Sequence, residues 1–272
     1  KAITNEASDG QLHKKAELKD LINIDFGPIH PLTGPVYVEE AEVGDILAVD
    51  LIDIELHDYG WQAIVGGFGF LTDRFPEPKL NIHEIDTINK TTMFNGKITI
   101  PLKPFAGVMG VAPDTEEMLS TIPPRANGGN MDDPSIVEGT TVYFPVFVKG
   151  ALFSIGDAHA VQGLGEVCGT AIEAPMTFVY RLRVLKNKPA IQEPQYETDD
   201  FYAVTGFGET IDIATKKAVN FMVDHLSENY EISAEDAYML CSLVGDLKIA
   251  EIVDVPNMLV TMHFPKSILT QL

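Results

Sequence analysis

Short apolar segments separated by glycine and proline make up most of the first two-thirds of the chain. Their spacing is typical of strands in a β-sandwich or a barrel. The clearest example runs from Met176 to Val184, where apolar and polar side chains alternate. Because successive side chains of a strand point to opposite faces, this alternation indicates a strand with one buried face. The sequence therefore predicts a mainly β fold.

A change of phase within residues 45–56 predicts an irregular strand. The alternation follows odd positions at Leu47, Val49 and Leu51, and then even positions at Ile52, Ile54 and Leu56. A strand switches faces in this way only if one extra residue is inserted, so we expect a β-bulge near Leu51 and Ile52.

Residues 59–75 combine aromatic side chains with four glycines. We interpret this region as a long loop. Its aromatic side chains would either pack the loop on the core or cover a substrate pocket.

Helical spacing appears only near the C-terminal end. Apolar residues three and four apart follow Asp212, which we predict as a helix N-cap. A second helix is expected to begin at Ser233 and to end at Gly245. Two strands, 247–255 and 258–264, are expected to close the chain.

A shift in composition after Lys188 suggests a boundary between two parts of the chain. The polar and acidic stretch 189–202 has the composition of a connector. We therefore expect a β-sandwich or barrel-like catalytic domain over residues 1–188. Residues 189–272 would form a small α+β subdomain packed on it.

The net charge of the chain indicates which classes of molecule it can bind. The 272 residues include 19 Lys and Arg against 40 Asp and Glu, a formal net charge of −21. A surface this acidic repels nucleic-acid phosphates and anionic lipids, so we expect neither a nucleic acid nor a membrane as partner. A neutral small molecule suits the charge better.

Cysteine usage bears on the compartment. The two cysteines, Cys168 and Cys241, are far apart and indicate no disulfide framework, which favours a reducing cytoplasm. The chain opens on Lys1 rather than on Met, and we expect that a segment of the natural protein precedes it.

The segment 123–134 has the composition of a rigidly shaped loop. Two adjacent prolines fix φ, and Gly128 and Gly129 permit conformations that other residues avoid. Asn130 and Asp132 add oxygen atoms that can bind a ligand. From composition alone, a structural and a functional role both remain open.

Residues 156–173 contain the densest group of reactive side chains. Asp157 and His159 would face the same way on a strand, and the glycine-flanked turn after them would return Glu166 and Cys168 towards them. An imidazole and two carboxylates at a strand end can bind a divalent metal or form a metal-free acid–base site. By the alternation of side chains, Glu173 would point away from Glu166.

Two further residues have alternatives of their own. His30, in a proline- and glycine-rich turn, would either join the site or make a hydrogen bond that holds the turn. Cys168 would be either a nucleophile or a small buried thiol.

Several motifs occur together and in order along the chain. They are His30 to Pro35 with Val38 to Asp45, Phe105 to Pro113, Pro123 to Arg125 with Gly128 to Asp132, Gly156 to His159, Gln162 to Glu166, and Ala171 to Glu173. With these motifs the chain resembles the acetamidase/formamidase family. It departs from the family at Leu164, where an acidic residue is more common.

The resemblance implies a fold, a reaction and partners. The fold would be a jelly-roll-like β-sandwich with a barrel-like part and a small C-terminal α+β portion. The reaction would be hydrolysis of short aliphatic amides, such as formamide and acetamide, to ammonia and the carboxylic acid. The protein would be a homodimer that carries a divalent metal, with zinc as the first expectation and calcium as the alternative.

We assign roles as a hypothesis about this reaction. The metal ligands would be His159, Asp157 and Asp132, joined by His30 or Asp9, and Glu166 would be the general acid–base group. Backbone amides of Gly128, Gly129 and Asn130 are the expected oxyanion donors. Supporting or alternative roles are assigned to Glu173, Cys168 and Arg125.

Two rival functions differ in how they respond to reagents. A cysteine amidase that uses Cys168 would be blocked by thiol alkylation and indifferent to chelators. A non-catalytic β-sandwich stabilised by a metal would lose thermal stability on chelation and release no ammonia.

Overall fold

β-Strands dominate the computed structural model, which describes the whole chain from Lys1 to Leu272. In chain order the strands are β1 (Ala2–Thr4), β2 (Leu32–Val36), β3 (Ile46–Leu56), β4 (Tyr59–Ile64), β5 (Lys79–Asp86), β6 (Thr91–Phe94), β7 (Ile98–Pro101), β8 (Phe105–Gly110), β9 (Gly128–Asn130), β10 (Thr141–Pro145), β11 (Phe153–Val161), β12 (Ile172–Glu173), β13 (Met176–Leu185), β14 (Gln195–Glu197), β15 (Phe201–Gly208), β16 (Asp246–Glu251) and β17 (Met258–Pro265). The helices are α1 (Leu18–Ile22), α2 (Ile211–Asn229), α3 (Ala234–Val244) and α4 (Lys266–Leu269). No helix is both long enough and apolar enough to cross a membrane.

The strands form two antiparallel sheets. One has the order β1-β13-β3-β10-β14-β15-β17-β16, and the other has the order β7-β6-β5-β4-β12-β11-β8-β9 with β2 paired to β11. The prediction of a mainly β fold is confirmed. Each order begins and ends with an edge strand, so neither sheet closes on itself, and the barrel-like part is an open sheet.

The main core lies between the two sheets. Leu47 on β3 and Phe178 on β13 belong to the same cluster of buried apolar side chains as Met109 on β8 and Phe153 on β11. Because both sheets contribute side chains to one cluster, the architecture is a sandwich.

The expected bulge in β3 is present. Leu51 pairs with Tyr180 and Asp53 pairs with Val179, so Ile52 has no partner on β13. This extra residue moves the apolar side chains of β3 from one phase to the other.

The prediction of a long loop over residues 59–75 is wrong for its first part. Tyr59 to Ile64 form β4, which pairs with β5 along its whole length. Gly60 is required in this strand because a Cβ there would lie 2.7 Å from the carbonyl oxygen of Glu173. The glycine that suggested a loop therefore allows close approach to β12 instead.

Both predicted helices are present, with one change of cap. Ser233 and Gly245 cap α3 as expected, and the Ser233 hydroxyl accepts a hydrogen bond from the Asp236 amide. The N-cap of α2 is Thr210 rather than Asp212, because the Thr210 side chain accepts from the amide of Ile213. Asp212 lies in the first turn, where its charge suits the helix dipole.

The strands after residue 188 continue a sheet that earlier strands begin. β14 pairs with β10, and β15, β17 and β16 follow it in the same sheet. α2 and α3 pack on this extension through a separate apolar cluster that includes Met222, Val260 and Phe264. The division of the chain into residues 1–188 and 189–272 stays a prediction.

Candidate active site

A cavity of about 210 Å³ lies beside the second sheet and gathers most of the candidate residues. Its charged and hydrogen-bonding lining comes from strands β9, β11 and β12 and from the loops around them. These residues are His30, Asn130, Asp132, Asp157, His159, Glu166, Thr170, Glu173 and Asp254.

Strand pairing brings the central side chains together. Asp157 and His159 both lie on β11, two residues apart, and Asp157 Oδ2 is 3.4 Å from His159 Nε2. On the neighbouring strand β8, a Cβ at Gly107 would lie 2.5 Å from Asp132 Oδ1 and 2.6 Å from Asp157 Oδ2. Glycine at this position therefore leaves the space in which the two carboxylates and the imidazole converge.

His159 is surrounded by acceptors. Its Nε2 is 3.1 Å from Glu173 Oε2, and its Nδ1 is 2.9 Å from Gln162 Oε1. The Gln162 amide nitrogen donates to the carbonyl oxygen of Asp132 at 2.7 Å, which fixes the amide with its oxygen towards the imidazole. Nδ1 must therefore carry a proton, and in the neutral ring the Nε2 lone pair points into the cavity.

The His30 ring is also oriented by a hydrogen bond at its Nδ1 atom. The Thr121 hydroxyl donates to the carbonyl oxygen of Ile29 and lies 3.1 Å from His30 Nδ1. Since its proton is used there, the hydroxyl accepts from Nδ1, and the lone pair of a neutral His30 lies on Nε2. That Nε2 atom is 3.8 Å from Asp157 Oδ2.

Asp132 also belongs to a second group of buried acids. Oxygen atoms of Asp132, Glu166 and Asp254 lie within 4.8 Å of one another, and Asn130 donates to Asp254 Oδ2 at 2.7 Å. The carboxylate of Glu251 accepts from the backbone amides of Val253 and Asp254 and so shapes the turn that carries Asp254.

The position of Glu173 contradicts the expectation drawn from alternation. Residues 162–171 form a loop, so counting alternate faces from Glu166 does not apply. Glu173 pairs directly with His159 across β11 and β12, and paired residues share a face of the sheet.

Five other candidates lie away from this cluster. Asp9 is exposed and accepts a hydrogen bond from Asn5. Arg125 donates to the carbonyl oxygens of Ser120 and Pro123, which braces its own loop.

Gly128 and Gly129 line a different cavity from the one that holds His159. The Gly128 amide already donates to the Arg125 carbonyl oxygen. Cys168 lies near the Ala63 and Thr170 backbone and also lines a different cavity.

Asp254 is a residue of this cavity that the sequence pattern does not predict. The structure buries Asp254 to 2% exposure. The one local signal is an acid that follows two apolar residues, Ile252 and Val253, in a stretch expected to be a strand.

Burial and mutual repulsion shift the protonation of the acids. Burial, reinforced by Asp132, raises the pKa of Glu166 and Asp254 well above the usual range. Burial also raises the pKa of Glu173 to about 8, although His159 opposes this shift.

The ion pairs around His159 act in the opposite direction. Burial favours the neutral forms of both Asp157 and His159. At Asp157, however, attraction to His30 and His159 is stronger than the effect of burial and lowers the pKa of the carboxyl. In return, Glu173 and Asp157 raise the pKa of His159 well above its usual value.

Several oxygen atoms of the cluster are buried without a hydrogen-bond donor. They are Asn130 Oδ1, Asp132 Oδ1 and Asp157 Oδ1. An unpaired buried carboxylate oxygen is unfavourable unless a cation or a donor compensates it. Two histidine nitrogens among these oxygens form a donor set that fits a divalent metal.

Comparisons with known proteins identify the relatives of this chain. The sequence pattern of the acetamidase/formamidase family matches residues 1–120 and 115–271. A formamidase from Methylophilus methylotrophus is 26% identical over 334 residues, which cover 95% of this chain and 82% of the relative. An acetamidase from Mycolicibacterium smegmatis is 29% identical over 230 residues, which cover 62% of this chain and 56% of the relative.

The structural comparison covers almost the whole chain. The crystal structure of an acetamidase from Bacillus halodurans matches with a TM-score of 0.93 and 31% identity, over 99% of this chain and 89% of that one. The predicted resemblance and the predicted enzyme class, a hydrolase of amide C–N bonds, are confirmed. The chain belongs to the acetamidase/formamidase family.

Proposed function

We propose that this enzyme hydrolyses short aliphatic amides, formamide and acetamide among them, to ammonia and a carboxylic acid. The observation that carries the proposal is the convergence of His30, His159 and buried carboxylates with unpaired oxygens in one cavity. The substrate is neutral, which suits a cavity whose lining contains neither lysine nor arginine.

The proposed cofactor is a divalent cation held by His159, Asp157 and Asp132, with His30 as a further ligand. In their neutral forms both histidines would direct an Nε2 lone pair into the cavity, and a nitrogen donor among carboxylates favours zinc over calcium. A cation there would lower the pKa of a water molecule from about 15.7 towards about 7 and polarise the substrate carbonyl. Asp9 is too exposed to be included, and Glu173 replaces it as the further carboxylate in contact with His159.

Glu166 is the group to which we assign the proton transfers. It lines the same cavity, is 7% exposed and has carboxylate oxygens within 4.8 Å of Asp132 and of His159. It would take a proton as the water oxygen bonds to the carbonyl carbon. It would return that proton to the nitrogen as the C–N bond breaks and ammonia leaves.

The oxyanion donors expected from sequence are reassigned in this proposal. Gly128 and Gly129 do not line the cavity, and the Asn130 amide nitrogen donates to Asp254. The Thr170 hydroxyl donates to the Ala63 carbonyl, whereas the Trp61 indole N–H of the lining is buried without an acceptor. We therefore assign the charge on the substrate oxygen to the cation site and its histidines, with the Trp61 indole N–H as the one free side-chain donor among the other residues of the lining.

The test is ammonia release from formamide and acetamide, before and after chelation and with single metals restored. We expect activity to disappear on chelation and to return with zinc. Glu166→Gln should bind zinc normally and lose at least a hundredfold in kcat, whereas His159→Ala should lose the zinc. Activity that survives chelation would overturn the metal assignment. Inhibition by thiol alkylation alone would point to Cys168.

A cytoplasmic location and a homodimer complete the proposal. Both thiols are free, as suits a reducing compartment. Sedimentation at micromolar concentration would test the dimer, because a monomeric mass would contradict it.

A further inference from the structure

One side of the active-site cavity is an apolar wall that hydrolysis of formamide does not require. Its members come from the N-terminal segment, from β4 and the loop after it, and from a loop before β9. They are Ala7, Leu21, Ile24, Phe26, Ile29, Trp61, Val65, Phe68 and Ile122.

Part of the wall is a packed cluster. Leu21 and Trp61 belong to a small apolar cluster, and Ile24 and Val65 pack against it. Phe26 also lines the cavity but is 56% exposed, which places it at the opening. The wall therefore includes buried members, Leu21 and Trp61, and an exposed member, Phe26, in the same cavity as the carboxylates.

The cavity is larger than the smallest amides need. Its volume is about 210 Å³, whereas a cavity of about 150 Å³ lined by Leu, Ile and Phe binds benzene. A cation and one water molecule, at about 30 Å³ each, would leave roughly 150 Å³ for the whole amide molecule. Formamide has no carbon beyond its carbonyl and would leave the wall bare.

We infer that the preferred substrates are primary amides with an apolar acyl group of about six carbons, either aliphatic or aromatic. The inference rests on the proposed amide hydrolysis. The amide group would lie at His159 and the carboxylates, and the acyl chain would lie along Leu21, Ile24 and Ile122. The cavity lining contains no lysine or arginine to hold a charged acyl group such as a dicarboxylic acid monoamide.

The expected size of the preference follows from apolar burial. Each buried methylene contributes about 0.8 kcal/mol, or roughly a fourfold gain in kcat/KM. Over the four methylenes that separate hexanamide from acetamide, the gain is about two orders of magnitude. Benzamide should approach hexanamide, and chains beyond about eight carbons should lose the gain because the cavity is full.

The first experiment measures kcat/KM for ammonia release from formamide, acetamide, butyramide, hexanamide, decanamide and benzamide. A maximum near six carbons supports the inference. A steady decline from formamide onwards would overturn it and leave the amidase function intact. Release of ammonia from none of these amides would instead refute the amidase function itself.

A pair of variants tests whether the wall is responsible. Ile122→Phe adds bulk at the wall and should lower the hexanamide-to-acetamide ratio of kcat/KM at least tenfold. Ile88→Phe makes the same change at a turn where the side chain is 91% exposed, and it should leave the ratio unchanged. Equal ratios in both variants would show that the wall does not select the substrate.

Discussion

Substitution of Gly107 by alanine should disable the site with little change to the fold. Gly107 lies in the middle of β8, where its backbone faces the point at which Asp132, Asp157 and His159 meet. An added Cβ would lie 2.5 Å from Asp132 Oδ1, 2.6 Å from Asp157 Oδ2 and 2.8 Å from His159 Cε1. All three distances are shorter than the ordinary lower limit of 3.4 Å, so the side chains must move.

The distance by which these side chains move determines how far kcat/KM falls. Subtracting these distances from 3.4 Å gives movements of about 0.6 to 0.9 Å at three groups of the candidate metal site. A misplacement of about 1 Å can lower catalysis by about a hundredfold, so we expect kcat/KM to fall between tenfold and a hundredfold. Overpacking by one methyl group should destabilise the protein by about 1–3 kcal/mol.

The assay is ammonia release together with zinc content and a urea unfolding curve. Gly163→Ala is the matched control, because a Cβ at Gly163 meets nothing within 4 Å. A Gly107→Ala protein that folds and keeps kcat/KM within twofold of the natural enzyme would refute the placement of the site. Loss of activity in Gly163→Ala as well would show that the effect is not specific to Gly107.

Three other predictions test neighbouring parts of the structure. Gln162→Ala should weaken zinc binding about 10–100-fold in a competition titration, since Gln162 fixes the His159 ring; unchanged affinity would contradict this. Burial lowers the pKa of His225 to about 4, so below about pH 6.5 only the unfolded chain takes up this proton and stability falls. Between pH 7 and pH 5, the natural protein should lose about 2 kcal/mol more unfolding free energy than His225→Phe, as measured in urea titrations. If the unfolding free energies of the two proteins change equally with pH, His225 does not cause the loss. Tyr196→Phe removes the hydroxyl that donates to buried Asp133 and should destabilise the protein by about 1–3 kcal/mol in the same assay. An unchanged free energy of unfolding would show that the hydroxyl is not needed for stability.

Local chemistry explains what the sequence could predict. The bulge at Ile52 follows from a change of phase within one strand, and the cap at Ser233 follows from a side chain that satisfies a nearby amide. The convergence of Asp157 and His159 needed only the two-residue period of a strand. In each example the relevant contact lies within one element of the chain.

The unpredicted parts depend on contacts between distant segments. Gly165 forms a parallel bridge with Glu251, and its amide donates to the Ala250 carbonyl oxygen at 2.7 Å. This bridge carries Glu166 to the turn that holds Asp254. The periodicity near Asp254 gives no sign of pairing with a loop so far away along the chain, so the sequence does not predict that this acid joins the site.

Backbone strain and buried charge occur at the same residues, and this coincidence argues for function. Asp132, Asp157 and Glu166 have φ values of 43°, 50° and 43°, in the left-handed region that favours glycine. Each is at most 7% exposed and carries a carboxylate into the cavity. Such a conformation is unfavourable by about 1–3 kcal/mol per residue, and burial of the acid adds to this. Glycine would relieve the strain and an apolar side chain would relieve the desolvation, so stability alone does not explain the three acids. Binding and catalysis at this cavity give a reason for both features.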